Sequence, residues 1–415
     1  MAHVKDLWWK TVKGPDDEPI QVKTARFGKG KRWLAVWHDQ YGQEKSKAFK
    51  TKDPATRHAN AMETDVARGE YIDPKAGDRL FGDFAKSWFN TVTVDPSSEI
   101  RYESVYRLHV GPRFDKRKVK AIRPSEIQAC LKELEEAFSS SLAATALLVI
   151  RGVLELAEAD EAIKKNPVKS KIVRQPKWQG RDVKVWSDAQ VSDIVSDHPA
   201  PLLPMPVIAA GCGMRQAEIF GLALEDLDFR ESVIRVNRQI KKLGKDHVFA
   251  LPKNDKTRTV PMPANVATVL RQHIRQYPPQ DYTLPWEKVD GEPHTVRLLF
   301  RWPADDQHVR ARNYSETIWK PAIAAAGIIP PPATDSRGRK RYETTRREGM
   351  HQLRHWYASV QLDAMVSVVA LASYLGHDPK VTLSIYGHML PSADERSRSA
   401  IDNRFEGSGL VPDGT

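Results

Sequence analysis

The stretch VSVVALASYLGHDPKVTLSIYGHML, residues 366–390, constrains the fold more sharply than any other part of the chain. Gly376 is a natural residue to follow a helix, because glycine enters the left-handed conformation without a Cβ clash. Asp378-Pro379 then reads as the cap and first position of a new helix. One helix stops and another starts across Gly376, His377, Asp378 and Pro379, which settles where His377 emerges. Tyr386 follows two turns later, at or near the end of the second helix.

A tyrosine there, taken alone, reads as packing, but four other stretches change its meaning. In GCGMRQAEIFGLALEDLDF the glycines loosen the backbone before Arg215, Ile219 and Leu222 face inward, and Glu218 stands one turn on, able to orient the arginine. SVIRVNRQI is alternating and β-branched, and TRTVPMP supplies a later partner strand. Lys253 lies in the connection between them, on an expected hairpin tip. It could donate a proton if neighbouring cations lower its pKa, with Lys241, Lys242, Lys245 and Lys256 as competitors. In HQLRHWYASV, residues Leu353, Trp356, Tyr357 and Val360 form an expected buried stripe. His351 and Arg354 lie together off it, near a helix start whose dipole favours an anion. Each motif by itself is an ordinary surface pair. Together, two arginines and a lysine can hold a phosphate, two histidines can move or share its protons, and a tyrosine can attack it.

The remainder reads as further domains. At 415 residues the chain is expected to form two or three. Lys plus Arg is 64 against 53 Asp plus Glu, a net charge of +11 that attracts polyanions. The two cysteines, Cys130 and Cys212, exclude a disulfide framework and a Cys-rich zinc site and fit a reducing cytoplasm. No stretch is expected to be long and apolar enough to span a membrane, and MAHVKDLWWK has no signal-peptide core.

Residues 1–75 carry an alternating strand at Trp33 to Trp37, a turn near Asp39 to Gly42, a strand ending near Phe49, and a helix starting at Asp53-Pro54. Ala55, Ala59, Met62 and Val66 make the apolar stripe of that helix. The expected small sheet is studded with cations, among them Lys29, Lys31, Arg32, Lys45 and Lys47. Residues 79–170 read as all-helical, with core stripes at Phe81, Phe84, Ala85, Trp88 and Phe89, and at Leu147, Ile150, Val153, Leu154 and Ala157. Residues 171–184 form a basic linker holding Lys171, Arg174, Lys177 and Arg181. Residues 185–405 carry the chemistry, opening with a helix start at Ser187-Asp188 and closing with a capping-box spacing at Ser392 and Glu395; 406–415 is a tail. Residues 327–348 read as a basic loop.

These stretches, in this order, resemble the tyrosine recombinases of the phage integrase family, with the flavour of integrases from actinobacterial phages or integrative plasmids. RWLAVWHDQYGQEKSKAFKTKDPA resembles their arm-type DNA-binding domain, and the helical segment their core-binding, SAM-like domain. The resemblance implies a multidomain, mainly α chain with small β-sheets: a sheet-plus-helix domain, an all-helical domain and an α+β catalytic domain. It implies that Arg215 and Arg354 grip the scissile phosphate, Lys253 protonates the departing 5′ oxygen and His351 takes the tyrosine's proton. His377 would hydrogen-bond the phosphate, Tyr386 would form a 3′-phosphotyrosyl intermediate and Glu218 would stand behind Arg215. It implies DNA contacts from Lys241 and Lys242 and the cations named above, no metal and no cofactor. Expected partners are core and arm attachment sites, a homotetramer on DNA, a host bending protein and an excision factor. The expected location is the cytoplasm of a bacterial host, associated with the nucleoid. Resolvases and relaxing topoisomerases share this chemistry, and a DNA-binding regulator without strand exchange is the reading from another class.

Overall fold

The computed structural model describes residues 2–13, 18–69, 71, 73, 76–176, 185–389, 398, 399, 401, 402 and 404. The chain divides into two compact units, Met1–Trp178 and Gln179–Thr415.

The first unit begins with β1 (His3–Asp6), β2 (Trp9–Lys13), β3 (Pro19–Lys23), β4 (Trp33–His38) and β5 (Glu44–Phe49), followed by α1 (Lys52–Ala67). β4 is the central strand of an antiparallel sheet ordered β1-β4-β5. Ala35 and Trp37 are buried together with Ala55 and Ala59 of α1, and Trp33, Phe49, Met62 and Val66 pack around them. The alternation and the helix stripe therefore meet as expected. The helix begins one residue before the expected Asp53-Pro54, at Lys52, leaving Asp53 in the first turn, where a carboxylate suits the helix dipole. β2 and β3 form a separate hairpin that the sequence reading did not identify.

The helical part comprises α2 (Phe81–Thr91), α3 (Pro96–Val105), α4 (Gly111–Phe114), α5 (Pro124–Ala137) and α6 (Ser140–Ala159). A single wider turn, Tyr106–Val110, joins α3 to α4. The hydroxyl of Ser139 accepts from the Leu142 amide and caps α6. Leu147, Ile150, Val153 and Leu154 of α6 are buried against Phe81, Phe84, Ile127 and Leu131. Each such side chain contributes about 1.5–3 kcal/mol by burial. One expectation is corrected here: α6 is long and apolar enough, by length and composition, to cross a membrane. Its periodicity explains why it serves as a core helix, with 50% of that window buried inside the fold. Residues 177–184 of the expected linker lie outside the described residues.

The second unit runs α7 (Asp188–Ser196), α8 (Pro204–Cys212), α9 (Gln216–Phe220), β6 (Leu227–Asp228), β7 (Val233–Val236), β8 (Gln239–Leu243), β9 (Asp246–Ala250) and β10 (Arg258–Pro261). It continues with α10 (Ala264–Gln276), β11 (Gln280–Pro285), β12 (Pro293–Leu298), α11 (Ala311–Tyr314), α12 (Lys320–Ala325), β13 (Ala333–Thr334) and β14 (Lys340–Arg341). It ends in α13 (His351–Asp363), α14 (Val368–Leu375) and α15 (Pro379–Tyr386). Ser187 and Gln190 close a capping box at the start of α7. SVIRVNRQI is two strands rather than one. The chain turns at Asn237 and Arg238, whose side chains are held by the buried carboxylate of Asp226. β7 pairs with β10 and β6, while β8 turns back on β9. The 327–348 loop contains the small β13–β14 hairpin, drawn together by the Asp335 carboxylate, which accepts from Arg339 and Arg341. A separate small core of Tyr357, Ala358, Leu362, Leu371, Leu375 and Tyr386 binds α13, α14 and α15 into one corner. The capping spacing at Ser392 and Glu395 and the 406–415 tail lie outside the described residues.

Candidate active site

The site grows from two left-handed glycines. Gly213, at φ +61, ends α8 and turns the chain so that Arg215 immediately precedes α9. A Cβ at Gly213 would stand 2.4 Å from the Tyr357 ring, so nothing larger fits without displacement. Gly376, also at φ +61, ends α14, and Asp378 caps α15 by accepting from the Lys380 amide. The helix–corner–helix reading is therefore the observed structure, with His377 in the corner and Tyr386 as the last residue of α15.

Glu218 is the electrostatic centre. It is 1% exposed. Its Oε1 accepts from Arg215 Nη1 at 2.8 Å and from Arg258 Nη1 at 2.9 Å; its Oε2 accepts from Arg258 Nη2 at 2.6 Å and from the Arg215 amide at 2.8 Å. Burial pushes its pKa up, but the Arg258 hydrogen bonds and the charges of Arg258 and Arg215 win and hold it at about 2. Arg258 also donates from Nε to the Tyr374 carbonyl at 2.7 Å, tying β10 to α14.

Arg354 is fully buried. It donates from Nη1 to the Gly213 carbonyl at 2.6 Å and from Nη2 to the Leu375 carbonyl and to His377 Nε2, the last at 2.9 Å. Arg215 Nη2 reaches the Gly376 carbonyl at 3.5 Å, so Arg215 and Arg354 converge on one corner of the backbone. Burial lowers the Arg354 pKa to about 9, with Arg215 and Arg258 adding repulsion. It remains charged at neutral pH. Three guanidiniums thus stand in the field of the Glu218 carboxylate, two of them bonded to it, an excess of two positive charges among these groups. Arg354 Nε and His377 Nδ1 are buried there with no hydrogen-bond partner. Buried positive charge in excess of its counter-charge is the physical signature of an anion site.

The histidines are held neutral. Burial, then Arg354, Arg215 and Arg258, lower His377 to about 3; burial, then Arg354, lower His355 to about 4. His351, the first residue of α13, is lowered by burial and by His355, Arg354, Arg215 and His377, although its ring keeps an edge in solvent that tempers the effect. Tyr386 is 1% exposed, and burial raises its phenol to about 12 against the opposing pull of Arg354 and Arg215.

The geometry adds one contact that lies outside the expectations and corrects one of them, the buried stripe of α13. The imidazole bonded to Tyr386 is His355, whose Nδ1 lies 2.7 Å from the phenol oxygen. His351 stands behind it, with ring centroids 4.7 Å apart and edge-on. The buried stripe of α13 is Leu353, Arg354, Tyr357, Ala358 and Leu362, so Arg354 lies on it and Val360 is exposed. Sequence reasoning missed Arg258 and His355, and each carries one local signal. Arg258 shares strand parity with buried Val260. His355 is one turn beyond His351 on the same helix face.

Lys253 is not brought to the cluster. It is exposed in the turn Lys253–Asp255 between β9 and β10, not at the β8–β9 hairpin tip, and among the described residues it makes no bond to the arginines or histidines. Lys241 and Lys242 lie on β8, half-buried and exposed respectively. In the first unit Lys29 and Lys31 are exposed, while Arg32 is bidentate to Asp6 at 3.0 and 2.8 Å. Lys45 bonds Asp73 at 2.9 Å and approaches Asp39 at 3.5 Å. The register pairs Lys45 with Trp37 and Lys47 with Ala35, so both point to the sheet face that α1 covers. Lys171 and Arg174 are exposed; Lys177 and Arg181 lie outside the described residues.

Residues 190–392 match the phage integrase family, and residues 80–134 match the phage integrase N-terminal SAM-like domain. A tyrosine recombinase XerC-like protein of Caldanaerobacter subterraneus subsp. tengcongensis is 24% identical over 92% of this chain and 99% of its own length. Tyrosine recombinase XerD of Proteus mirabilis is 24% identical over 62% of this chain and 70% of its own. Among solved structures, the Tn1549 transposon integrase in complex with a circular intermediate DNA aligns with a TM-score of 0.61 at 19% identity, covering 79% of this chain and 99% of that one. A lambda integrase tetramer bound to a Holliday junction aligns at 0.51 and 14% identity, covering 83% and 93%. The chain belongs to the phage integrase family of tyrosine recombinases, the site-specific enzymes that cleave and rejoin DNA.

Proposed function

We propose that Tyr386 is the nucleophile of this recombinase and that Arg215 and Arg354, backed by Glu218 and Arg258, hold the scissile phosphate. The observation that carries this reading is the excess of buried guanidinium charge beside a buried phenol, all gathered on the Gly213 and Gly376 corners. A phosphate entering there offsets that charge. The trigonal-bipyramidal transition state carries more negative charge on its non-bridging oxygens than the ground state and gains most from the arginines. His377, bonded to Arg354, hydrogen-bonds the phosphate. Lys253 reaches the departing 5′ oxygen by movement of its exposed turn when DNA is bound. The phenol oxygen replaces the 5′ oxygen on phosphorus. The 3′-phosphotyrosyl ester keeps the bond energy, so rejoining draws on no nucleotide hydrolysis.

Residues 1–75 act as the arm-type DNA-binding domain, 79–170 as the core-binding domain and 185–405 as the catalytic domain, joined by the basic 171–184 linker. Four protomers assemble on two duplexes inside a bacterial cell, one active site per cleaved strand. A host bending protein and an excision factor assist. Exposed Lys29, Lys31, Lys171 and Arg174 contact phosphates.

The test is a nicked suicide duplex carrying two core sites. Wild type should form a covalent protein–DNA adduct and join strands between duplexes. Tyr386→Phe should bind equally well and form no adduct. Full recombination by Tyr386→Phe would refute the assignment, and an adduct without strand transfer would point to a relaxing topoisomerase.

A further inference from the structure

The imidazole that touches the Tyr386 hydroxyl is His355, and the family resemblance gave that position no role. We propose that His355 is the catalytic base, taking the phenol proton on Nδ1 as the Tyr386 oxygen bonds to phosphorus. The proposal rests on Tyr386 being the nucleophile.

The geometry is that of a general base. Nδ1 and the phenol oxygen are 2.7 Å apart, within the range for direct proton transfer. The two rings meet at 62°, with centroids 5.5 Å apart. Their helices are fastened by a common core, since Tyr357, Ala358 and Leu362 of α13 are buried with Tyr386 itself. The contact is therefore set by packing rather than by one loose rotamer. Among the described residues no other titratable side chain is hydrogen-bonded to Tyr386.

The charges around His355 explain when the transfer would occur. Arg354 and His351 flank it on α13, His377 faces it from the α14–α15 corner, and Tyr386 faces it from α15. A proton arriving on this imidazole is repelled by Arg354 until negative charge enters the cluster. The scissile phosphate supplies that charge, so the phenol stays protonated without DNA and becomes a nucleophile when a duplex is seated. His351, edge-on to His355 and reaching solvent, is placed to contact the phosphate.

The step balances. In cleavage the Tyr386 O–H bond breaks, the phenol oxygen–phosphorus bond forms and the phosphorus–O5′ bond breaks. The proton is held on Nδ1, and the 5′ oxygen is protonated by Lys253. In rejoining, the 5′ hydroxyl attacks phosphorus and returns its proton to Lys253, while the leaving phenol oxygen recovers its own from His355. No oxidant or reductant is involved.

The experiment uses the full-length chain and a nicked core-site duplex, recovered from the junctions of the integrated element, in two forms. One carries the ordinary phosphate; the other has sulfur in place of the bridging 5′ oxygen, so that the leaving group needs no acid. His355→Ala and His355→Asn should each slow adduct formation about 100-fold or more on both duplexes. Free imidazole should restore part of the His355→Ala rate. Asparagine can accept the phenol hydrogen bond but cannot take the proton, so a wild-type rate for His355→Asn would overturn the proposal in favour of mere positioning. Recovery of His355→Ala on the sulfur duplex would overturn it by placing His355 at the leaving group. If Tyr386→Phe still forms adduct, or wild type forms none, the assignment of the nucleophile fails instead, and the proposal with it.

Discussion

Replacing Glu218 by glutamine removes the carboxylate that Arg215 and Arg258 share and that offsets the charge of Arg354 beside them. The side chain keeps its shape but loses its charge, and its amide nitrogen must face an arginine. The carboxyl is held at about 2 against an ordinary 4.5. At roughly 1.4 kcal/mol per pKa unit this corresponds to about 3 kcal/mol of stability at neutral pH. Loss of one partner from a buried ion pair costs about 3–5 kcal/mol by an independent route. The sign follows from the depressed pKa. The contribution is complete above pH 4.5, declines as pH falls toward 2, and is absent below it. Pulse proteolysis across a urea series resolves the fragments of the two units by size. It should show Glu218→Gln lowering the stability of the second unit by about 3 kcal/mol at pH 7, with the gap to wild type closing below about pH 3. The first unit should be unchanged. A loss under about 1 kcal/mol at pH 7, or a gap independent of pH, would refute the view that Glu218 is the counter-charge of the cluster.

Gly213→Ala should destabilise the second unit by about 1–3 kcal/mol from its left-handed backbone alone, and by more from overlap with Tyr357, read by the same urea series. Arg354→Lys should reduce adduct formation at least about 100-fold without loss of DNA binding, because an ammonium donates from one point and lacks the planar fork that serves the Gly213 and Leu375 carbonyls from two nitrogens. His308, buried and lowered to about 4 by burial and by His247, must take up a proton when the second unit unfolds in mild acid. Stability should therefore fall as pH drops from 6.5 to 4, and His308→Gln should flatten that slope; an unchanged slope would contradict the assignment. Lys29→Gln with Lys31→Gln should lower the salt dependence of binding to arm-site DNA by about two in log–log slope and leave adduct formation on a core-only duplex unchanged.

The punctuation of the chain was its most legible part. Gly376, Asp378-Pro379 and Ser187 act through the backbone of a few neighbouring residues, so local sequence suffices to read them. The stripe on α6 was equally plain, yet its length and hydropathy could not distinguish a core helix from a membrane span, since that depends on what packs against it. The break of SVIRVNRQI at Asn237 is set by Asp226, eleven residues away, and is invisible to strand alternation. The same limit explains Arg354. Periodicity treats an arginine as an outward residue, whereas here two backbone carbonyls from distant segments accept its hydrogen bonds. The contact of His355 with Tyr386 lies beyond local sequence, because it depends on how α13 crosses α15. Composition alone does not separate Lys45 and Lys47 from their basic neighbours; the register turns both toward α1.

The most direct measurement is to trap the covalent complex on a suicide duplex, digest it with protease and nuclease, and sequence the nucleotide-bearing peptide by mass spectrometry. The attached group should be a 3′-linked nucleotide on the phenol oxygen of Tyr386, in the peptide containing SIYGHML. A nucleotide on any other residue, or one joined through its 5′ end, would contradict the account.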